Sequence, residues 1–370
     1  MSPRLEPGRR VVVPAFGETP LDAVASMFLE EMPAPDPATL APGDVLVRVR
    51  AAAVGWVDLL MSSGQYQHMA SPPYTPGLEC AGEVAWVGPE AKGGLSVGDR
   101  VIVDGLRSGP RSLGPYQRWG GFATWVVAPS EAALPVPSPL TLDQSAALLG
   151  SYETAYHCLV TRGRLAAGET ALIHGATGAT GSAAVQVAKL VGARVIATGR
   201  SAKKLEPLRA LGADELVVTA GDDGAPRSFR DDVKDLTGGR GVDVVYDAVG
   251  GETSLESLRC VRFGARFLIV GWASTPFVAK GKGGRGAPNA NVLPTNLIMM
   301  KSLDVLGCPT AISTAMDPST RAPRLAQVLA WAESGALTPI VSHTYALDAF
   351  KEALEAKWRG EVTGGCVLHP

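Results

Sequence analysis

The chain has 370 residues, 46% apolar and 19% charged, which suits about two domains with a large core and argues against wholesale disorder. Its 34 basic and 36 acidic residues leave a net charge of −2, which speaks against a strongly cationic nucleic-acid or membrane binder. No apolar stretch reaches the roughly 20 residues needed to cross a bilayer. The first residues are polar and basic, unlike a secretory signal. Cys80, Cys158, Cys260, Cys308 and Cys366 are too scattered for a disulfide framework or a CxxC metal site. A reduced, cytoplasmic setting is expected.

Up to about residue 145 the pattern predicts a β-rich region, with runs such as Val45 to Val49, Gly82 to Val87 and Arg100 to Val103 between Pro/Gly turns. The segment Leu142 to Leu159 is apolar with helical spacing. From Gly168 strands and helices alternate. Predicted strands are Ala171 to His174, Arg194 to Ala197, Glu215 to Val218, Val242 to Tyr246, Arg266 to Val270 and Leu303 to Leu306. Predicted helices are Ser182 to Val191, stopped by Gly192, and Ala202 to Leu211. This alternation implies an α/β domain with a parallel sheet. A helix over Arg321 to Glu333 and a mixed tail follow. Lys280 to Gly286 reads as a basic surface loop.

His174-Gly-Ala-Thr-Gly-Ala-Thr-Gly181 lies between a strand and a helix and reads Ala176-x-Gly178-x-x-Gly181, a variant dinucleotide fingerprint. Gly178 lets the backbone approach a pyrophosphate and Gly181 lets helix pack on strand. The N–H groups around Ala179 and Thr180 face the phosphate. At the end of the next strand, where an NAD site carries a carboxylate, stand Gly199, Arg200, Ser201, Lys203 and Lys204. These cations suit a 2′-phosphate, so NADPH is the expected cofactor.

The chain resembles a medium-chain dehydrogenase/reductase, specifically the zinc-free quinone oxidoreductase branch. The resemblance runs over nearly the whole chain, through Ala51 to Asp58, Ser63-Gly-Gln-Tyr66, Pro76 to Val84, Gly98-Asp-Arg-Val101, Gly120 to Ala123, Thr154-Ala-Tyr-His157, the glycine loop, Gly238 to Asp243 and Asp247 to Gly251. It implies a Rossmann doubly wound parallel sheet over residues 148–311. That domain is inserted in a partly barrel-like, β-rich, GroES-like catalytic domain formed by 1–147 and 312–370, with the active site in the cleft. A homodimer is the family default.

Zinc-dependent relatives carry cysteine where this chain has Gly55, histidine at Leu78 and cysteine near Gly150, so no metal is expected. His157 and His174 read as core histidines. Without a Lewis acid, alcohol oxidation is hard, whereas a quinone or an alkene conjugated to a carbonyl is already electrophilic. Tyr66 matches the tyrosine that relatives use to protonate or hydrogen-bond the product. Gly55 and Trp56, with Tyr66 and Trp272, would line the substrate pocket. Thr154, Asp247, Val249, Gly271 and Trp272 match positions along the nicotinamide and ribose, and Asn291 to Asn296 resembles the segment that closes over the cofactor. The basic loops 107–119 and 280–286 suggest an alternative, an enoyl-CoA reductase of acryloyl or crotonyl type. A low-activity NADPH-binding structural or regulatory protein is a third reading.

Overall fold

The computed structural model describes residues 5–370 except 67–68, 113, 275–278, 281–283 and 286–290, and only the backbone of 279, 280, 284 and 285. The chain divides into two compact units, one of Met1–Gly150, Ala279–Gly286 and Thr338–Pro370, the other of Ser151–Val278 and Ala287–Leu337. Among the described residues no helix is long and apolar enough to cross a membrane.

In the first unit the β-branched runs form a seven-stranded sheet. Its path is Val341–Ala346, Gly365–His369, Asp44–Ala53, Cys80–Val87, Arg100–Val103 and Ala133–Pro135, with Trp125–Pro129 also paired to Asp44–Ala53. Register shifts along Asp44–Ala53, at Leu46/Val47 and Val49/Ala51, are irregularities of the kind that bend a sheet. Both faces of this strand contribute to a core, although Arg48 and Arg50 are exposed. Val45, Val47 and Val49 enter one core with Val84, Val101 and Phe122, while Leu46 enters another with Trp125 and Val127. The C-terminal strand pairs Val367 with Ala53 and Leu368 with Ala52, which ties the tail to the N-terminal region.

The second unit holds a six-stranded sheet in the order Glu215–Val218, Arg194–Gly199, Thr170–Ile173, Val242–Asp247, Val261–Ile269 and Asp304–Gly307, every pairing parallel. Strand order reverses beside Thr170–Ile173, the switch point where doubly wound sheets bind ligands. The helix Ala179–Val191 leaves this strand and ends at Gly192, whose φ of 91° no β-carbon residue adopts easily.

Three expectations need correction. The helix read over Ala202 to Leu211 is a short α-helix, Ala202–Leu205, followed by a 3-10 turn, Glu206–Arg209; Pro207 removes a backbone donor there. The segment from Leu142 breaks into Leu142–Ala146 and Leu149–Tyr156, then widens into a π-helix over His157–Arg162. Residues 312–337 group with the second unit, because Arg321 and Arg324 of the Arg321–Glu333 helix pair with Glu153 inside it.

Candidate active site

The turn between strand Thr170–Ile173 and helix Ala179–Val191 is built from backbone. Gly175 has a φ of 63°, and the N–H of Ala176 donates to Thr198 O at 3.0 Å and that of Gly178 to Gly175 O at 2.9 Å. Gly178 caps the helix with no side-chain bond, and the first helical bond runs from Ser182 N to Gly178 O. The N–H groups of Ala179, Thr180 and Gly181 thus precede the hydrogen-bonded ladder and remain available to an anion. A β-carbon at Gly181 would meet Gly175 O at 2.1 Å, whereas one at Gly178 would meet only that oxygen, at 3.4 Å. Gly181 is therefore the close-packing glycine and Gly178 the open one. A diphosphate fits this cradle.

Beneath the loop, the fully buried His174 contacts Thr198 Oγ1 at 2.8 Å and Ser257 Oγ at 2.7 Å. Burial lowers its pKa, against the pull of Asp247 and Glu256, so it serves as a neutral brace, as expected of a core histidine. Gly199 ends strand Arg194–Gly199, where an added β-carbon would meet Leu205 and Thr177 side chains at 3.2 Å. Arg200 is exposed, and among the described residues no hydrogen bond or ion pair engages it. Ser201 caps the next short helix, and Lys204 is half-buried within it.

Asp247, a position that the sequence places along the cofactor, has a carboxylate only 1% exposed. It accepts from the N–H groups of Val249 and Gly250, both at 2.9 Å, and from the Ser254 hydroxyl. Asn291 completes this turn, donating to Ser254 Oγ at 3.0 Å and accepting from Gly251 N at 3.2 Å. Asp247 therefore shapes the Val249–Gly251 turn, and its oxygens are committed to that turn. Gly250 is required where Trp272 Cβ approaches, at 3.0 Å from any added β-carbon. Trp272 is exposed, Gly271 and Val249 are half-buried, and Thr154 is half-buried on helix Leu149–Tyr156. The neighbouring Tyr152 hydroxyl accepts from Gln186 Nε2 at 2.6 Å, which pins that helix to the phosphate-loop helix.

In the first unit, Gly55 caps helix Trp56–Ser62 and Asp58 replaces a capping side chain by accepting from Gly55 N at 2.8 Å and Gly77 N at 3.0 Å. Burial raises its pKa to about 6, against the lowering effect of these N–H groups, Arg111 and Leu78 N. The sequence reading missed Asp58's role, although the three-residue spacing from Gly55 is a capping signal. Tyr74, whose pKa is raised by burial and by Asp58, keeps a buried hydroxyl without a partner among the described residues. Tyr66 follows the helix, half-buried against the core. Trp56 stacks on Trp358 at 5.3 Å between centroids and 7° between planes, so its indole already has a partner.

At the positions where zinc-dependent relatives place ligands, Gly55 and Leu78 offer no donor. Gly150 donates its N–H to Glu79, whose Oε1 would lie 2.3 Å from a β-carbon at 150. Among the described residues no three His, Cys, Asp or Glu side chains converge as a metal site. In the loop 107–119, Arg107 pairs with Asp104 at 3.7 Å, Arg118 lies over the Trp119 ring at 5.0 Å, and Tyr116 donates to Asp44. These three side chains thus engage neighbours within the first unit. Most of the loop 280–286 lies outside the described residues.

Residues 179–320 match the zinc-binding dehydrogenase family and residues 41–138 the alcohol dehydrogenase GroES-like domain. The quinone oxidoreductase-like protein 2 homolog of Nematostella vectensis is 32% identical over 332 residues, 89% of this chain and 82% of that protein. The spectinabilin polyketide synthase system protein NorB of Streptomyces orinoci is 35% identical over 335 residues, 90% of this chain and 13% of that one. A mycobacterial protein solved in complex with NADPH superposes on 98% of this chain and 100% of its own, with a TM-score of 0.77 and 26% identity. A GroES-like β-domain, a switch-point glycine loop and likeness over most of both chains to a quinone oxidoreductase-like protein lead to one conclusion: the chain belongs to the medium-chain dehydrogenase/reductase superfamily of oxidoreductases.

Proposed function

We propose that the protein is an NADPH-dependent, zinc-free reductase that passes hydride to a quinone or to an alkene conjugated with a carbonyl. The observation that carries this reading is the glycine cradle at 175–181 with Arg200 uncommitted at the end of the adjacent strand. The cradle offers N–H groups to a diphosphate, and the guanidinium suits a 2′-phosphate through charge-assisted hydrogen bonds. Ser201 and Lys204 extend that subsite. The mycobacterial neighbour's complex with NADPH supports the same cofactor.

Bound NADPH supplies the hydride. This chain's own residues bind, orient and handle the proton. Asp247 holds the Val249–Gly251 turn, and Thr154 and Trp272 orient the nicotinamide end. Tyr66 donates its phenolic hydrogen to the acceptor oxygen, or delivers the proton that completes alkene reduction. Gly55 and Trp56 give the acceptor an apolar floor. The absence of donor side chains at Gly55, Leu78 and Gly150, with Glu79 filling the space at 150, supports chemistry that needs no Lewis acid. The free state of all five cysteines fits a cytoplasmic setting. Exposed Phe263, Met299 and Met300, in the unit whose sheet ends at strand Asp304–Gly307, support a homodimer.

Tyr66→Phe tests the assignment, since a general acid contributes about 10²–10⁴-fold. Turnover is expected to fall by at least about 10² with NADPH affinity unchanged; equal turnover on every accepted substrate would remove Tyr66 from the chemistry.

A further inference from the structure

Beneath the glycine loop a chain of polar side chains runs through the core of the second unit, and its direction can be worked out. His174 directly follows strand Thr170–Ile173 and is fully buried. Its Nδ1 lies 2.8 Å from Thr198 Oγ1 and its Nε2 2.7 Å from Ser257 Oγ. The Ser257 hydroxyl donates to Thr253 O at 2.6 Å, which leaves its oxygen to accept. A neutral His174 therefore carries its hydrogen on Nε2, and Nδ1 accepts from the Thr198 hydroxyl. The Phe229 ring packs on the imidazole at 5.1 Å between centroids and offers neither hydroxyl a substitute partner.

This chain ties together the segments around the cradle. Thr198 stands two residues before Arg200, at the end of strand Arg194–Gly199. On the side of strand Thr170–Ile173 the parallel ladder stops at the pair Ile173 and Ala197. Beyond it, Thr198 is held on that side by two bonds among the described residues: its carbonyl accepts from Ala176 N at 3.0 Å, and its hydroxyl donates to His174. At the other end of the chain, Ser257 belongs to helix Glu252–Ser257, whose Ser254 bonds Asp247 and Asn291. The His174 N–H itself donates to Tyr246 O at 3.0 Å, next to Asp247. The glycine loop keeps its backbone bonds whatever the imidazole does. The strand end that leads into Arg200 would lose one of its two ties with the imidazole.

We propose that His174 is a positioning residue for cofactor choice, holding the end of strand Arg194–Gly199, through Thr198, where Arg200 meets a 2′-phosphate. The proposal rests on the NADPH reading above and adds to it a buried residue that touches no cofactor. The diphosphate cradle serves NADPH and NADH alike and is built from backbone. The 2′-phosphate belongs to NADPH alone and depends on where the strand end stands. A guanidinium displaced from bidentate geometry loses charge-assisted hydrogen bonds, so loosening Thr198 weakens NADPH more than NADH.

Fluorescence titration of the full-length protein with NADPH and with NADH, which needs no acceptor, is compared for His174→Phe, Thr198→Val and the double variant. Each single variant is expected to lower the ratio of the NADH Kd to the NADPH Kd about three- to tenfold, mainly by raising the NADPH Kd. The double variant is expected to match the single ones rather than multiply them, because both remove the same bond. His174→Gln, which keeps an acceptor and a donor, should recover part of the ratio. Lower melting temperatures with an unchanged ratio would reveal a merely structural brace and overturn the proposal, as would effects that multiply in the double variant. If His174→Phe does not fold, Thr198→Val, whose methyl takes the place of the hydroxyl, still decides it. Wild-type protein that binds NADH as tightly as NADPH would overturn the cofactor reading and the proposal with it, whereas an unchanged ratio in variants of an NADPH-preferring protein overturns the proposal alone.

Discussion

The two glycines of the phosphate loop can be separated experimentally, because an added methyl meets different surroundings at each. At Gly178 the backbone, φ −78° and ψ 169°, is open to any residue. The new β-carbon would touch only Gly175 O, at an ordinary 3.4 Å. A weaker helix cap and a stiffer unfolded chain oppose each other, so Gly178→Ala is expected to change stability by less than about 1 kcal/mol. Its methyl, however, stands where the diphosphate approaches. Loss of one charge-assisted hydrogen bond costs about 1.5–3 kcal/mol, which is roughly a ten- to hundredfold rise in the Kd for NADPH. At Gly181 the β-carbon would lie 2.1 Å from Gly175 O and 2.7 Å from Ala176 Cα, both backbone atoms. The helix must then move away from the loop, at a cost of about 1–3 kcal/mol, and at about 2–4 °C per kcal/mol the melting temperature falls with affinity. Fluorescence titration with NADPH and thermal melts of both variants provide the comparison. A Gly178→Ala protein that binds NADPH like the wild type would refute the placement of the diphosphate.

Arg200→Met should weaken NADPH about tenfold or more while leaving NADH nearly unchanged, because only the former carries a 2′-phosphate; parallel KM values for the two cofactors read this. Glu153→Gln would leave two buried guanidinium groups facing a neutral amide, and a loss of about 3–5 kcal/mol is expected in denaturant unfolding. Asp58 holds its proton more tightly folded, at about 6, than unfolded, at 3.8. Its favourable contribution is therefore complete below pH 3.8 and lost as pH rises to 6, by about 3 kcal/mol. Asp58→Asn should flatten that part of the stability–pH curve, and an unchanged slope would show that another group titrates there.

Much of the second unit was legible because its elements are punctuated locally. Strand Glu215–Val218 and helix Arg321–Glu333 carry their own periodicity, and Gly192 stops its helix through its own φ. What the sequence hid depends on distant partners. Glu153 meets Arg321 across 168 residues, and no local pattern announces such a pair; this moved residues 312–337 into the second unit. By resemblance the segment from Asp247 passes along the cofactor, but that its carboxylate holds Ser254 and two turn N–H groups was not legible from any local pattern. The partners that Arg107 and Arg118 find, Asp104 and the Trp119 ring, are not announced by the run of arginines in 107–119. The break at Pro207 was visible in the sequence and lay inside an apolar helical pattern that outweighed it.

The most direct test of the central claim is the loss of NADPH absorbance with an ortho-quinone, a medium-chain enone and crotonyl-CoA in parallel, repeated with NADH. The account predicts one-for-one oxidation of NADPH with the quinone or the enone, faster than with NADH. Tight NADPH binding without turnover of any of the three would contradict it and leave a nucleotide-binding protein that performs no reduction.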